Sequence, residues 1–390
     1  LWLHYNVLTP KFKEMNLKNI SILGVALLSL IACNNSLNQK STDSNTEVSA
    51  EKKVQLEEVF ADATYQLTGV AVSKDNRVFV NYPYWLDNHS YSVVEVKDGK
   101  PVPYPNAEWN SFKKGEDGQN KFVTVQSVVT DDQGFLWVVD AAGIGLGKVY
   151  QNSTKVLKIN LANDQIEKIY RFPEGVVGED VYINDIRVDN ENDFAYLTNS
   201  NTGGIVVLNI KNGESRLILA NTPAVKSDPN YHFSPLGTEL KKGDGSLLKV
   251  NSDGIALTPD NQYLYFKPLT DNKLYRIKTD LLRDFKTSEN VLNKSVEDLG
   301  KFITTDGMIF DKNGNLYLGD LEKNSIVKIT PDLKMHTIVK DDDKLIWPDS
   351  YSISDDGYLY ISNSQIQLMP WFHAGKEQFK KPFKVFRIKI

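Results

Sequence analysis

Apolar and polar positions along this chain repeat in a unit of two short runs. From Ser252 to Lys267 (SDGIALTPDNQYLYFK) a polar opening leads into an apolar run, a tight turn of Asp and Asn, and a second apolar run with an aromatic. The unit recurs from Thr68 (TGVAVSKDNRVFVN), Gln126 (QSVVTDDQGFLWVVD), Asn184 (NDIRVDNENDFAYLTN), Asp306 (DGMIFDKNGNLYLGD) and Asp349 (DSYSISDDGYLYISN). Superposed, the second runs align Phe79, Trp137, Tyr196, Tyr265, Tyr317 and Tyr360. A third segment of alternating pattern follows each pair: 91–97, 155–161, 204–210, 273–277, 325–329 and 383–390. A weaker fourth follows the first five, at 101–104, 166–172, 216–219, 296–299 and 336–339. Alternation marks half-buried strands. Six repeats of four short antiparallel strands predict an all-β, six-bladed β-propeller. Amphipathic helical stretches are nearly absent, which opposes an α/β fold.

The sixth unit stops after its third segment, whereas an unassigned apolar stretch, 54–60 (VQLEEVF), precedes the first. This stretch is expected to pair with 383–390 and close the ring, which removes both open sheet edges. Three insertions interrupt the spacing, at 106–120, 221–248 and 365–379. Long loops in a compact repeat fold tend to carry function.

Composition agrees with a large globular body: 390 residues, 41% hydrophobic and 24% charged. The net charge of -5 and the lack of a basic run argue against a nucleic-acid partner. A monomer is expected. The only cysteine, Cys33, ends the segment MNLKNISILGVALLSLIAC that starts at Met15. Lys18, an apolar stretch from Ile20 to Ile31 and a small residue before Cys33 form a secretory signal. Its ending, Leu30-Ile31-Ala32-Cys33, resembles a bacterial lipobox, which implies a lipidated Cys33 at the mature N-terminus. Residues 34–53 are polar, without periodicity, and read as a disordered tether. The expected organisation is a signal region at 1–33, a tether at 34–53 and a propeller at 54–390. The protein would be held in the cell envelope, facing the periplasm or exterior, with membrane contact through the lipid alone.

Candidate chemistry gathers where the first strands open toward the axis. The opening residues are Thr68, Gln126, Asn184, Asp253, Asp306 and Asp349, all polar although each leads into an apolar run. Loops and second-strand ends on the same face add Tyr84, Trp85, Asp140, Asn199, Asp320, Asn363 and Trp371. Asp and Asn also cap turns, so turn formation accounts for any one of them. As a set they outline a concave polar site for a small molecule, with the aromatics able to sandwich a planar or cationic ligand. No GxSxG, HExxH or CxxC motif appears, and the Gly-rich 143–147 opens no helix.

The runs TGVAVSKDNRVFVNYPYW, FVTVQSVVTDDQGFLWVVDAA, TNSNTGGIVVLNI, FSPLG at 233–237 and KLIWPDSYSISDDGYLYISN resemble the major royal jelly protein/yellow family. That resemblance implies a six-bladed propeller, with activities ranging from dopachrome conversion to the capture of biogenic amines in an axial pocket. A more distant likeness to gluconolactonase-type propellers implies one divalent cation, such as Ca²⁺, with Asn184 and Asp253 at two of the ligand positions. The matching place in the first unit holds Thr68 instead of an acid. Four readings follow: a binding module for a small aromatic or amine-like molecule; a dopachrome-tautomerase-like isomerase using Asp253, Asp306 and Asp349 as proton carriers; a metal-dependent lactonase; and a protein-binding scaffold.

Overall fold

Strand β1 (Glu57–Asp62) comes first in the chain but completes the last of six four-stranded antiparallel sheets. The computed structural model describes residues 54–390, so the signal segment, Cys33 and the tether lie outside the described residues. Blade 1 contains β2 (Gly69–Val72), β3 (Val78–Asn81), β4 (Val93–Lys97) and β5 (Lys100–Pro103). Blade 2 contains β6 (Val125–Thr130), β7 (Phe135–Asp140), β8 (Lys155–Asn160) and β9 (Gln165–Arg171). Blade 3 contains β10 (Ile183–Asp189), β11 (Phe194–Asn199), β12 (Ile205–Asn209) and β13 (Ser215–Ile218). Blade 4 contains β14 (Ser252–Leu257), β15 (Tyr263–Pro268), β16 (Lys273–Lys278) and β17 (Glu297–Lys301). Blade 5 contains β18 (Met308–Phe310), β19 (Leu316–Asp320), β20 (Ser325–Ile329) and β21 (Met335–Lys340). Blade 6 joins β22 (Pro348–Ile353), β23 (Tyr358–Asn363) and β24 (Phe383–Lys389) to β1.

The repeated turn has a local cause. In blade 2 the Asp131 carboxylate accepts the backbone N–H groups of Gln133 and Phe135, and its other oxygen accepts the Trp137 indole N–H at 2.8 Å. Blade 5 repeats the arrangement with Asp311, Asn313, Asn315 and the Tyr317 hydroxyl. An Asx turn sets these two hairpins, with Gly134 and Gly314 supplying the positive φ that follows, whereas in blades 1, 4 and 6 the hydroxyls of Ser73, Thr258 and Ser354 accept the Arg77, Tyr263 and Tyr358 N–H groups at the same place. All six aligned aromatics are buried between blades. The core is accordingly a series of interblade layers; one of them joins Phe60, Phe383 and Tyr360 of blade 6 to Val70, Val80 and Tyr82 at blade 1.

Closure occurs as expected, a few residues further along than the apolar stretch. Glu57 pairs with Arg387 and Asp62 with Phe383, with a bulge between Glu58 and Phe60. The strand ends at Asp62, whose carboxylate turns the chain by accepting the N–H groups of Thr64 and Tyr65. Blade 4 departs from the expectation of an all-strand chain. Its third and fourth strands are joined through two short helices, α1 (Thr279–Arg283) and α2 (Glu289–Ser295), the second capped by Ser288. They bury Leu282 and Leu292 against blades 3 and 4.

Candidate functional site

In β6, β10, β14 and β22 the ladder to the second strand slips just where the polar opening residue stands. The slips fall between Val125 and Ser127, Ile183 and Ile186, Ser252 and Ile255, and Pro348 and Tyr351. A bulge releases residues from pairing and re-aims their side chains. Here it frees Gln126, Asn184 and Asp253 to line an axial cavity of about 470 Å³, together with Asp306 from the segment leading into β18. The inner strands crowd closely beneath. A Cβ on Gly254 would lie 2.5 Å from the Asp306 carbonyl oxygen, and one on Gly307 2.6 Å from that of Asp349. Glycine is required at both by contact, not by backbone angle.

The floor is acidic and buried. Asp253 Oδ2 accepts from Asn184 Nδ2 at 2.8 Å and from the Ser200 hydroxyl at 3.0 Å. The Trp347 indole donates to Asp306 Oδ2 at 2.7 Å. The Asp253 and Asp306 carboxyls act directly on one another. Asp349 lies behind them with one carboxyl oxygen, Oδ2, lacking any partner. Burial pushes all three carboxyls well above the usual range, and each is raised further by a neighbour: Asp306 acts on Asp253, Asp349 on Asp306, and Asp253 on Asp349.

One wall is a hydrogen-bonded chain. The Trp85 indole donates to the Tyr182 hydroxyl at 3.1 Å, which donates to Gln126 Oε1 at 2.8 Å. Trp371 stands 6.0 Å from Trp85 between ring centroids, and Phe372 and Trp347 extend the aromatic lining. Two of the three insertions contribute: 221–248 brings Lys242, Gly243 and Leu248, and 365–379 brings Ile366, Trp371 and Phe372. The insertion at 106–120 packs elsewhere, Trp109 against Phe122. A second cavity of about 440 Å³ opens among the far ends of the inner strands. Between the two, Asp185 receives the Ser127 hydroxyl at 2.7 Å, and Arg187 reaches the Met308 carbonyl at 2.7 Å.

Of the residues singled out in the sequence, Trp85, Gln126, Asn184, Asp253, Asp306 and Trp371 meet at this cavity. The others serve elsewhere. Thr68 is buried under the Asn81 side chain, whose amide donates to its hydroxyl at 2.9 Å. Tyr84 stacks on His89 at 4.5 Å, and burial pulls that imidazole down to about 4. Asp140 accepts three backbone N–H groups and the buried Lys155 ammonium. Asn199 accepts the Tyr182 N–H and donates to the Gly203 carbonyl. Asp320 accepts the Glu322 N–H, and Asn363 lines a separate side cleft with Lys380 and Lys384. Tyr182, Ser200, Trp347, Lys242 and Lys249 were not foreseen. Tyr182 and Trp347 each stand two positions before an opening residue, a spacing that would have found them.

Asn184 and Asp253 do not offer a cation site as they stand. Asn184 turns its NH₂ group, which cannot ligate a metal, toward the Asp253 carboxyl. Among the described residues no three acidic or histidine side chains gather in metal-binding geometry. The donor set matches a hydrogen-bonded amide–carboxyl cluster instead.

Against proteins of known structure, the chain is similar to a gluconolactonase of Xanthomonas campestris, at 10% identity and a TM-score of 0.51, covering 86% of this chain and 89% of that one. It is similar to a luciferin-regenerating enzyme at 12% identity and 0.51, covering 86% and 95%. At such identities these likenesses speak for the propeller fold alone. In sequence it is 23% identical over 318 residues to Protein yellow of Drosophila subobscura, covering 75% of this chain and 54% of that protein. With the Drosophila melanogaster protein the figures are 24%, 75% and 57%, so the chain spans about half the length of the curated relatives it matches. The family model for Major royal jelly protein matches residues 123–385, most of the propeller, and the chain belongs to that family.

Proposed function

We propose that the protein binds a small aromatic molecule bearing a cationic nitrogen in the axial pocket. One observation carries the reading: three buried carboxyl groups crowd at and behind the floor without an ion pair, the one buried ammonium that acts on Asp253 and Asp306, that of Lys267, giving its hydrogen bonds to the Pro268, Leu269 and Asp271 carbonyls instead. A ligand ammonium would supply the missing charge, and the indoles of Trp85 and Trp371 would hold its ring and cation. The cavity falls in the range of small-molecule pockets, about 300–1,000 Å³. Calorimetric titration with phenethylamine tests this. Binding that Asp306→Asn weakens about tenfold or more supports it, given that hydrogen bonds to charged groups contribute about 1.5–3 kcal/mol. No saturable heat with the wild type would sink it.

A second reading, an isomerase of the dopachrome-converting kind, is favoured by the Asp253–Asp306 pair. Two carboxyls that act on one another present an acid and a base side by side, as a proton shift between carbon and oxygen demands. Dopachrome turnover by the wild type but not by Asp253→Asn would favour it over simple capture. Anchoring through a lipid on Cys33, in the cell envelope, is proposed from the sequence; palmitate labelling abolished by Cys33→Ser is its test.

A further inference from the structure

One donor-only group sets the direction of the hydrogen bonds along a wall of the axial pocket. An indole N–H can only donate, so where Trp85 meets the Tyr182 hydroxyl at 3.1 Å the hydroxyl oxygen accepts. The single proton of that hydroxyl is left for Gln126, 2.8 Å away, and only the amide oxygen can receive it. The reverse amide would set an N–H against the hydroxyl and strand its proton at a residue 4% exposed, a costly loss. Gln126 is therefore held by Oε1, and its Nε2 is the atom turned to the cavity that the residue lines.

Among the described residues nothing accepts from that Nε2, although Gln126 is only 7% exposed. The nearby Ser200 hydroxyl is engaged, donating to Asp253 and accepting from Asn184. Contacts between inner strands run from β2 through β6, β10, β14, β18 and β22 back to β2. Gln126 of β6 thus stands across the axis from Asp306, which leads into β18. An arylalkylamine whose ammonium answers the carboxyls on one side carries its ring toward Gln126 on the other. A plain ring displaces water from Nε2 and gives nothing back. An oxygen with lone pairs and no proton takes the N–H. A ring hydroxyl also accepts, but its own proton competes with Tyr182 for Gln126 Oε1.

We infer that Gln126 is the specificity-determining donor of the axial pocket, and that its ligand is an arylalkylamine with a proton-free oxygen, an ether or a carbonyl, on the ring. Tyr182 acts through Gln126 as a positioning residue. The inference rests on the axial pocket being the amine site and adds the second polar group of the ligand. One neutral hydrogen bond corresponds to about 3- to 10-fold in affinity.

Four probes decide it by calorimetry on the full chain: phenethylamine, its 3-methoxy and 4-methoxy derivatives, and tyramine. One methoxy derivative is expected to bind about 3- to 10-fold more tightly than phenethylamine, and more tightly than tyramine. Gln126→Glu keeps an acceptor for Tyr182 but turns a second oxygen toward the ring. It is expected to invert the order, so that tyramine, which can donate, binds more tightly than either methoxy derivative. Tyr182→Phe frees the amide to turn and is expected to shrink the methoxy preference at least twofold. A merely structural defect would weaken all four probes alike and leave their order unchanged. Phenethylamine binding without a gain for either methoxy derivative, tyramine binding as tightly as both, or an unchanged order in Gln126→Glu overturns the inference and leaves the amine pocket standing. An undiminished methoxy preference in Tyr182→Phe overturns the positioning role. Failure of all four to bind removes the pocket reading together with the inference.

Discussion

Two sets of buried carboxylates lie in this propeller, and they differ in how their charge is answered. Asp140, at the end of β7, receives the N–H groups of Val123, Thr124 and Ala142 and a 2.7 Å ion pair from Lys155, itself buried and bonded to two carbonyls. Every lone pair has a donor, and the group fastens the interblade turn. At the floor, Asp253, Asp306 and Asp349 share two amide or indole donors and one hydroxyl, have no ion pair, and raise one another's pKa. Burial by itself therefore says little about role. A carboxylate saturated by its own chain is architectural, whereas one left short of positive charge is available to something from outside.

That contrast can be broken most forcefully at Asp140. Asp140→Ala strands the Lys155 ammonium and is expected to cost about 3–5 kcal/mol, the range for breaking one partner of a buried pair, read from urea unfolding. The floor is expected to respond in the opposite sense. Asp306→Asn keeps an acceptor for Trp347 but removes a crowded acid, and should raise stability at neutral pH by about 0.5–2 kcal/mol, as relief of a functional site commonly does, while weakening arylamine binding.

Its pH dependence sharpens the point. Below the ordinary carboxylate value of 3.8 both folded and unfolded chains hold these protons. As pH rises past it, the unfolded chain releases them while the folded floor keeps them, so the wild type loses stability with rising pH until the folded groups ionise too. The gap between Asp306→Asn and wild type should therefore close in acid and widen toward neutrality, as measured by thermal unfolding across pH. A gap independent of pH would contradict the raised carboxyl pKa values at the floor. The smallest effect is expected from Tyr182→Phe, which removes the hydroxyl joining Trp85 to Gln126. It should cost about 0.5–1.5 kcal/mol, with a larger proportional loss of ligand affinity than of stability.

The fold was legible because each blade repeats the same alternation, a tight turn held by an Asp, Ser or Thr side chain and a buried aromatic at a fixed place, all of which lie within one short stretch of sequence. The site was legible only in part. Asn184 and Asp253 were visible as polar openings, but the bulges that aim them break the very alternation used to find strands. Asp140 and Asn199, read as facing the ligand, turn instead to unpaired backbone N–H groups in the interblade turns, a demand that the local pattern does not display. Tyr182 and Trp347 looked like ordinary apolar residues before a strand. Helices α1 and α2 are one or two turns long, too short for any helical period to emerge.

The pairing of β1 with β24 has a bearing on how the protein is made. The Glu57–Arg387 ion pair joins residues 330 positions apart. During synthesis β1 leaves the ribosome before any other strand of the propeller, and its mate leaves after all of them. Blades 1 to 5 can assemble against their neighbours as they emerge, as repeats do. The final seam, by contrast, waits for the most distant contact in the fold, the kind that forms slowly. Until then two sheet edges stay open and able to recruit other chains. A chain interrupted anywhere before Phe383 would keep both, so the seam acts as a check that translation of the propeller was finished.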